Sequence, residues 1–176
     1  MIMPRGQELL LPASPVFIWS SLLLALVLNM VFGIMVDGPG AWIPDLLAVT
    51  LVFWTIHQPR RVGMTTAFVF GIAMDIHHTS LLGQHALAYA LICFGAIMIH
   101  RRLLWFRISQ QSLQVLPLFV LAHVVVLLIR LATGASWPGW GLVLAPVFES
   151  LLWPVLTVLL LAPQRRAPDP DANRPL

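Results

Sequence analysis

The sequence predicts an all-α integral membrane protein built as a bundle of six transmembrane helices. Apolar residues make up 59% of the 176 residues and charged residues only 10%, and the mean hydropathy is +0.89. A soluble domain carries about 25% charged residues, so this chain has too few charges to cover a water-facing surface. Its apolar residues also fall into long runs, as spanning helices of about 20 residues require.

Six apolar runs define the predicted spans within a single transmembrane domain, residues 1–162. The first run is longer than the roughly 7–15 residues of a signal-peptide core, and no small-residue cleavage site follows it, so we expect a retained helix. The second and third runs are short, and we expect them to be buried, tilted little or joined as a close hairpin. Residues 163–176, rich in Pro, Asp and Arg, predict a disordered cytoplasmic tail. The spans lie near residues 16–35, 44–56, 62–76, 83–99, 115–132 and 142–161.

Local signals place the ends and bends of these helices. Pro44 and Asp45 open the second span, because proline is tolerated at the first helical position and a carboxylate there meets the positive end of the helix dipole. A functional carboxylate is the alternative interpretation of Asp45. Pro117 in the fifth span and Pro146 and Pro154 in the sixth predict bent helices.

The arginines orient the bundle. The chain has ten basic residues, all of them arginine, and nine lie at alternate junctions between the spans. Cytoplasmic loops carry an excess of positive residues, so both termini are predicted to be cytoplasmic. The same arginines suit the anionic lipids of a bilayer and do not indicate a nucleic-acid surface. Arg130 is the exception, near the outer end of the fifth span. The nine are Arg5, Arg60, Arg61, Arg101, Arg102, Arg107, Arg165, Arg166 and Arg174.

A face of small residues runs along the third span and ends in a carboxylate. Gly63, Ala67, Gly71 and Asp75 are spaced four apart, so a helix presents all four on one side. Small residues at this spacing let another backbone approach closely. The face therefore predicts either packing inside the bundle or a groove for a partner helix.

Two opposite charges in the last two spans form a candidate intramembrane ion pair. Arg130 and Glu149 are both assigned to the outer half, and His123 lies seven residues before Arg130 on the same helical face. An unpaired charge in a membrane is costly, so we expect Arg130 and Glu149 to pair. The pair is interpreted as structural, with a proton or ion path as the alternative. Asn29 in the first span is expected to form an interhelical hydrogen bond.

No catalytic or cofactor motif stands out. The chain has no HExxH, P-loop or GxSxG sequence, and no lysine for a Ser-Lys dyad. Asp75, His77, His78 and His85 contain zinc-ligand residue types. Their spacing matches no metal motif, so imidazoles bonded to water or backbone are the preferred interpretation. The sequence predicts a protein without enzymatic activity, metal or cofactor.

The order and spacing of several short segments resemble the bacterial rod shape-determining MreD family. The resemblance covers roughly residues 40–165, and Pro44, Asp45 and Gly83 are its candidate motif residues. The segments are Pro44-Asp45-Leu46-Leu47, Arg61-Val62-Gly63, Gly71-Ile72-Ala73-Met74-Asp75, Leu82-Gly83-Gln84-His85-Ala86-Leu87 and Leu152-Trp153-Pro154.

This resemblance implies a membrane component of the cell-wall elongation complex in the bacterial inner membrane. The implied partners are MreC and, indirectly, MreB and a glycosyltransferase–transpeptidase pair. A more distant similarity to the substrate-binding subunits of energy-coupling-factor transporters implies a comparable six-helix bundle. A substrate-binding transport subunit, with an outer polar pocket using Asp45, Asp75 and Arg130, is therefore an alternative. An intramembrane enzyme is a further alternative that lacks a nucleophile or metal constellation.

Overall fold

A computed structural model describes residues 13–35, 44–78, 81–134, 139 and 141–164. These residues form six α-helices and a short 3₁₀ turn. This architecture confirms the predicted all-α class. The tail after residue 164 lies outside the described residues, as do Arg5, Arg165, Arg166 and Arg174. The helices are α1 (Pro15–Met35), α2 (Leu46–His57), α3 (Met64–His77), α4 (Gln84–Leu103), α5 (Ile108–Ala132) and α6 (Gly141–Leu161), and the turn is Ala162–Gln164.

The helices differ in length and burial. Within the described part of the chain, α1, α4, α5 and α6 are long and apolar enough to cross a membrane, whereas α2 and α3 are shorter apolar helices. The 12 residues of α2 span about 18 Å, less than the roughly 30 Å of a hydrocarbon core. Ten of them, 47–56, are buried. Such a short helix can lie within the bundle because its neighbours shield it from lipid.

Packing follows the chain, with α2 at the centre. The α3 and α4 helices form the most extensive contact, and α4 packs on α5, which packs on α6. The α2 helix touches α1, α4 and α6. Trp54 of α2 and Trp153 of α6 are fully buried between these helices and are bridged by the ring of Phe53, which packs against both.

The two ends of the bundle differ in chemistry. At one end, called the polar end, α1, α3 and α5 finish and α2, α4 and α6 begin. At the opposite end, called the arginine end, α2 connects to α3 and α4 connects to α5. The five described arginines of the arginine end, Arg60, Arg61, Arg101, Arg102 and Arg107, all have exposed side chains.

Two helix ends depart from the expected spans. The α4 helix continues to Leu103, four residues past the expected end, and α5 begins at Ile108, seven residues before the expected start. The first turns of α5 carry polar side chains. These turns therefore lie outside the apolar run that predicted the fifth span. Gln111 explains their stability, because its Nε2 donates to the Phe106 carbonyl at 3.0 Å and its Oε1 accepts from Trp153 Nε1 at 3.2 Å.

Candidate functional site

A cavity of about 200 Å³ lies at the polar end, between the helices. Polar groups inside a membrane-spanning bundle are expensive and commonly mark functional sites. Here they come from α1 to α5 and converge on one space, with Leu142 of α6 closing the wall. The cavity is therefore the candidate functional site. Its polar lining residues are Asn29, Asp45, His78, His85, Tyr89, His123 and Arg130.

Asp45 organises one side of the cavity as the N-cap of α2. Its Oδ1 accepts from the Ala48 N–H at 2.9 Å and from Asn29 Nδ2 at 2.8 Å, and its Oδ2 accepts from the Tyr89 hydroxyl. Asn29 Oδ1 in turn accepts from the Leu46 N–H at 3.1 Å. The carboxylate thus satisfies a helix end while joining α1, α2 and α4.

The start of α2 differs from the prediction in one respect. The helix begins at Leu46, so Pro44 precedes the N-cap and does not occupy the first helical position. The reason is that the Asp45 side chain accepts the Ala48 N–H, which fixes Asp45 in an extended, non-helical conformation.

Asp75 performs the same role for α4 from a different helix. Its side chain is completely buried, and its two oxygens accept the N–H groups of Gly83 and His85, each at 2.8 Å, and of Ala86 at 3.3 Å. Oδ1 also lies 2.7 Å from His85 Nδ1. Gly83 has φ of +104°, a left-handed conformation that favours glycine. Asp75 therefore holds α3 and α4 together as a hairpin.

The small face of α3 is covered by α4. Ala67 and Gly71 are buried, and a Cβ on Gly71 would lie only 2.3 Å from the Ala86 Cα. Gly63 lies at the helix start, where a Cβ would come no closer than 3.9 Å to the Pro59 carbonyl oxygen. At Gly71, α4 occupies the space that a partner helix would need.

Glu149 contacts residues other than the expected arginine. It is fully buried, its Oε1 accepts from the Asp45 N–H at 2.9 Å, and His123 Nε2 lies 3.5 Å from the same oxygen. Among the described residues, no Glu149 oxygen lies within 4 Å of Arg130, so the expected ion pair is not formed. Arg130 is about 10 Å farther along α5 than His123, which places it beyond the depth of Glu149.

Tyr89 and His123 are site residues whose observed contacts the sequence did not predict. Tyr89 is the chain's single tyrosine and follows His85 by four residues, a spacing that puts both on one helical face. Their rings pack edge to face at 6.0 Å, and the His85 ring stacks on His78 at 5.6 Å. The spacing could have indicated Tyr89 as a neighbour of Asp75. Nothing in the sequence indicated its bond to Asp45.

The histidine cluster does not assemble as a set of metal ligands. His77 packs its ring edge to face against His78 at 5.1 Å, and His85 is bonded to Asp75. In the described segments, no group of three or more His, Cys, Asp or Glu side chains is arranged to hold a metal ion. His78 and His85 instead line the cavity, and His85 also contacts Asp75 within the hairpin.

Comparison with known proteins identifies relatives by sequence. The family model for the rod shape-determining protein MreD matches residues 13–162. The rod shape-determining protein MreD of Haemophilus influenzae is 25% identical over 127 residues, covering 70% of this chain and 76% of that protein. No solved structure matches, so the expected likeness to energy-coupling-factor transporter subunits gains no support. The family model spans most of the chain and all six helices, and the chain belongs to the MreD family of rod shape-determining proteins.

Proposed function

We propose that this protein is a non-enzymatic component of the machinery that elongates the bacterial cell wall, and that it acts by binding MreC in the inner membrane. Through MreC it would be linked to MreB and to the glycosyltransferase–transpeptidase pair of wall synthesis. Family membership supports the role in rod shape. The observation that carries the binding proposal is an apolar groove on the outside of the bundle.

The groove lies between α1 and α6, with α2 as its floor. It has a volume of about 250 Å³ and almost no polar surface. Ser21 to Leu28 on one side and Leu152 to Leu160 on the other extend about 10–12 Å along the helices, or two helical turns. The groove exists because α1 and α6 flank α2 without packing closely on each other.

A transmembrane helix of the partner suits this groove better than a soluble segment. Leu24 and Val155 on its walls are 60% and 64% exposed, and both belong to helices long enough to span the membrane. A partner helix would contact these exposed apolar side chains, because Ser21 Oγ accepts from Trp54 Nε1 of α2 and Ala25 is buried. Apolar surface alone gives no driving force between helices in lipid, so the groove's shape is what favours this surface over the other lipid-facing sides.

The proposal includes an orientation. The arginine end would face the cytoplasm, because its five described arginines are exposed and short cytoplasmic loops favour such residues. The amino and carboxyl termini would then both be cytoplasmic, and the polar end would face outward.

Co-purification from native membranes tests the binding proposal. Val155→Trp fills the groove with a bulky ring, and we expect the captured amount of MreC to fall roughly tenfold, as a loss of about 1.4 kcal/mol predicts. Met98→Trp on α4 is the matched control, because Met98 is 71% exposed on another side of the bundle. Equal capture of MreC by both variants, at equal folded yield, would place the partner elsewhere. Capture of an energising ATPase subunit in place of MreC would favour the transport alternative.

A further inference from the structure

Asp45 is a carboxylate that lines the polar cavity, and no arginine among the described residues pairs with it. Asp45 accepts hydrogen bonds from an amide, a backbone N–H and a hydroxyl, and none of these donors carries a positive charge. Within the described residues, the contacts below 4 Å between a basic side chain and a carboxyl group join His85 to Asp75 and His123 to Glu149. The negative charge of Asp45 is therefore solvated by dipoles but not neutralised.

Arg130 is a cation at the cavity that has no anionic partner among the described residues. Arg130 lines the cavity, its side chain is exposed, and no carboxylate oxygen of the described chain lies within 4 Å of its guanidinium. A guanidinium is charged at every physiological pH and offers five N–H donors in a planar fork that suits phosphate or carboxylate.

Two other carboxyl groups near the cavity, those of Asp75 and Glu149, have histidine contacts. His123 Nδ1 lies 3.0 Å from the Phe119 carbonyl, which only accepts, so this nitrogen carries a hydrogen. Its Nε2 lies 3.5 Å from Glu149 Oε1, so a single proton on either partner would leave the pair neutral as a whole. The carboxylate of Asp75 is held by His85 and by the N–H groups that begin α4.

We propose that the cavity binds a zwitterion that carries a primary ammonium and an anionic phosphate or carboxylate group. The ammonium would lie at Asp45, whose Oδ2 has a free lone pair beside Asn29 and Tyr89, and the anionic group would lie at Arg130. Each end of such a ligand supplies the charge that one of these residues lacks. Unpaired charges are costly inside a membrane protein, and this ligand removes both costs at once.

Geometry agrees with this assignment. His123 contacts Glu149, which accepts the Asp45 N–H, so these three residues share one level of the bundle. Arg130 lies two turns of α5 farther toward the polar end, about 10 Å in Cα position. The ammonium site is thus deep and the anion site is near the rim. The cavity volume of about 200 Å³ suits a headgroup-sized ligand.

Two sources share this chemistry, the headgroup of an aminophospholipid and a free small zwitterion. The first test measures binding of O-phosphoethanolamine to the full chain in detergent by calorimetry, with ethanolamine and inorganic phosphate as single-charge probes. We expect O-phosphoethanolamine to bind roughly tenfold more tightly than either probe, because each end contributes a charge-assisted hydrogen bond. Phosphate binding as tightly as the zwitterion would overturn the proposal.

Nanodiscs separate the two sources. Native mass spectrometry would compare retention of phosphatidylethanolamine with that of phosphatidylcholine, which has the same charges but no ammonium N–H donors. Preferential retention of phosphatidylethanolamine assigns the site to a lipid headgroup. Equal retention of both lipids, with tight binding of O-phosphoethanolamine, assigns it to a free zwitterion. Absence of both preferential retention and O-phosphoethanolamine binding overturns the proposal.

Variants connect binding to the two charges. Arg130→Gln should weaken O-phosphoethanolamine binding roughly tenfold and leave ethanolamine binding unchanged, since the ammonium site is intact. Asp45→Asn should weaken both ligands, and Arg101→Gln, an exposed arginine at the arginine end, is the matched control. If Asp45→Asn does not fold, the Arg130 variant decides, and unchanged affinity there refutes the proposal. MreC capture by Arg130→Gln should equal that of the wild type, so failure of this proposal leaves the MreC proposal standing.

Discussion

The Tyr89 hydroxyl donates a hydrogen bond to Asp45 Oδ2, so a side chain of α4 stabilises the first turn of α2. The two residues are 44 positions apart, and Tyr89 is only 1% exposed. The bond joins the central helix to the α3–α4 hairpin at the edge of the cavity. It is one of several contacts that position α2, a helix too short to span a membrane by itself.

Tyr89→Phe should lower the free energy of unfolding by about 1–3 kcal/mol, because it removes the donor and leaves a partly buried carboxylate oxygen with one partner fewer. Thermal unfolding in detergent would measure the change. Phe94→Leu is the control, since Phe94 belongs to the same helix but is 48% exposed. An equal loss in both variants would mean that the hydroxyl contributes nothing specific.

Gly71→Ala should prevent normal accumulation of the folded protein, because its Cβ would overlap the Ala86 backbone of α4. Gly71→Leu should be at least as disruptive. Gly63→Ala is the matched control, where the nearest atom to the new Cβ is 3.9 Å away. Fluorescence-detected size-exclusion chromatography reads out the folded yield. Normal yield for Gly71→Leu would contradict close packing of α3 on α4.

Asp75→Asn should destabilise the α3–α4 hairpin by at least about 2 kcal/mol. Asn has nearly the same size as Asp, but its NH₂ group would take the place of one oxygen. Backbone N–H groups that donate to that oxygen in the wild type would then face another donor. Thermal unfolding with and without a second substitution, His85→Ala, measures the coupling. Additive losses would show that the His85 ring and the Asp75 carboxylate act independently.

Double-mutant cycles distinguish the two possible partners of Glu149. His123→Ala and Glu149→Gln should be non-additive in thermal unfolding, because their side chains are 3.5 Å apart. Arg130→Gln and Glu149→Gln should add within about 0.5 kcal/mol. The opposite pattern would mean that Glu149 pairs with Arg130, as expected from the sequence, and not with His123.

Cysteine labelling tests the orientation. The chain has a single cysteine, Cys93, which is buried, so the background should be low. Arg60→Cys and Arg165→Cys should react only when the reagent reaches the cytoplasm, and Trp137→Cys should react from outside. Positions 137 and 165 lie outside the described residues, so these two expectations rest on the arginine distribution alone. Labelling of position 137 solely from the cytoplasm would invert the proposed topology.

Local sequence signals predicted the helices but not all of their ends. Apolar runs located α1, α2, α3 and α6 within two residues of their observed bounds, because burial or lipid contact requires apolar side chains throughout those helices. The apolar runs did not predict the start of α5, where Gln111 and its polar neighbours are helical. Hydropathy reflects the free energy of transferring side chains out of water. It therefore cannot detect polar helical turns whose side chains form hydrogen bonds with other parts of the protein.

The sequence by itself determined the all-α class, the order and number of helices, the segregation of arginines and the role of Asp45 at a helix start. Each of these depends on residues near one another in the chain or on composition. The tertiary structure alone decided that Asp75 caps α4, that His123 replaces Arg130 beside Glu149, and that Asp45 and Arg130 line one cavity. Those contacts depend on how deep each side chain lies and which way each helix is turned. A difference of two helical turns, about 10 Å, is enough to exchange one partner for another.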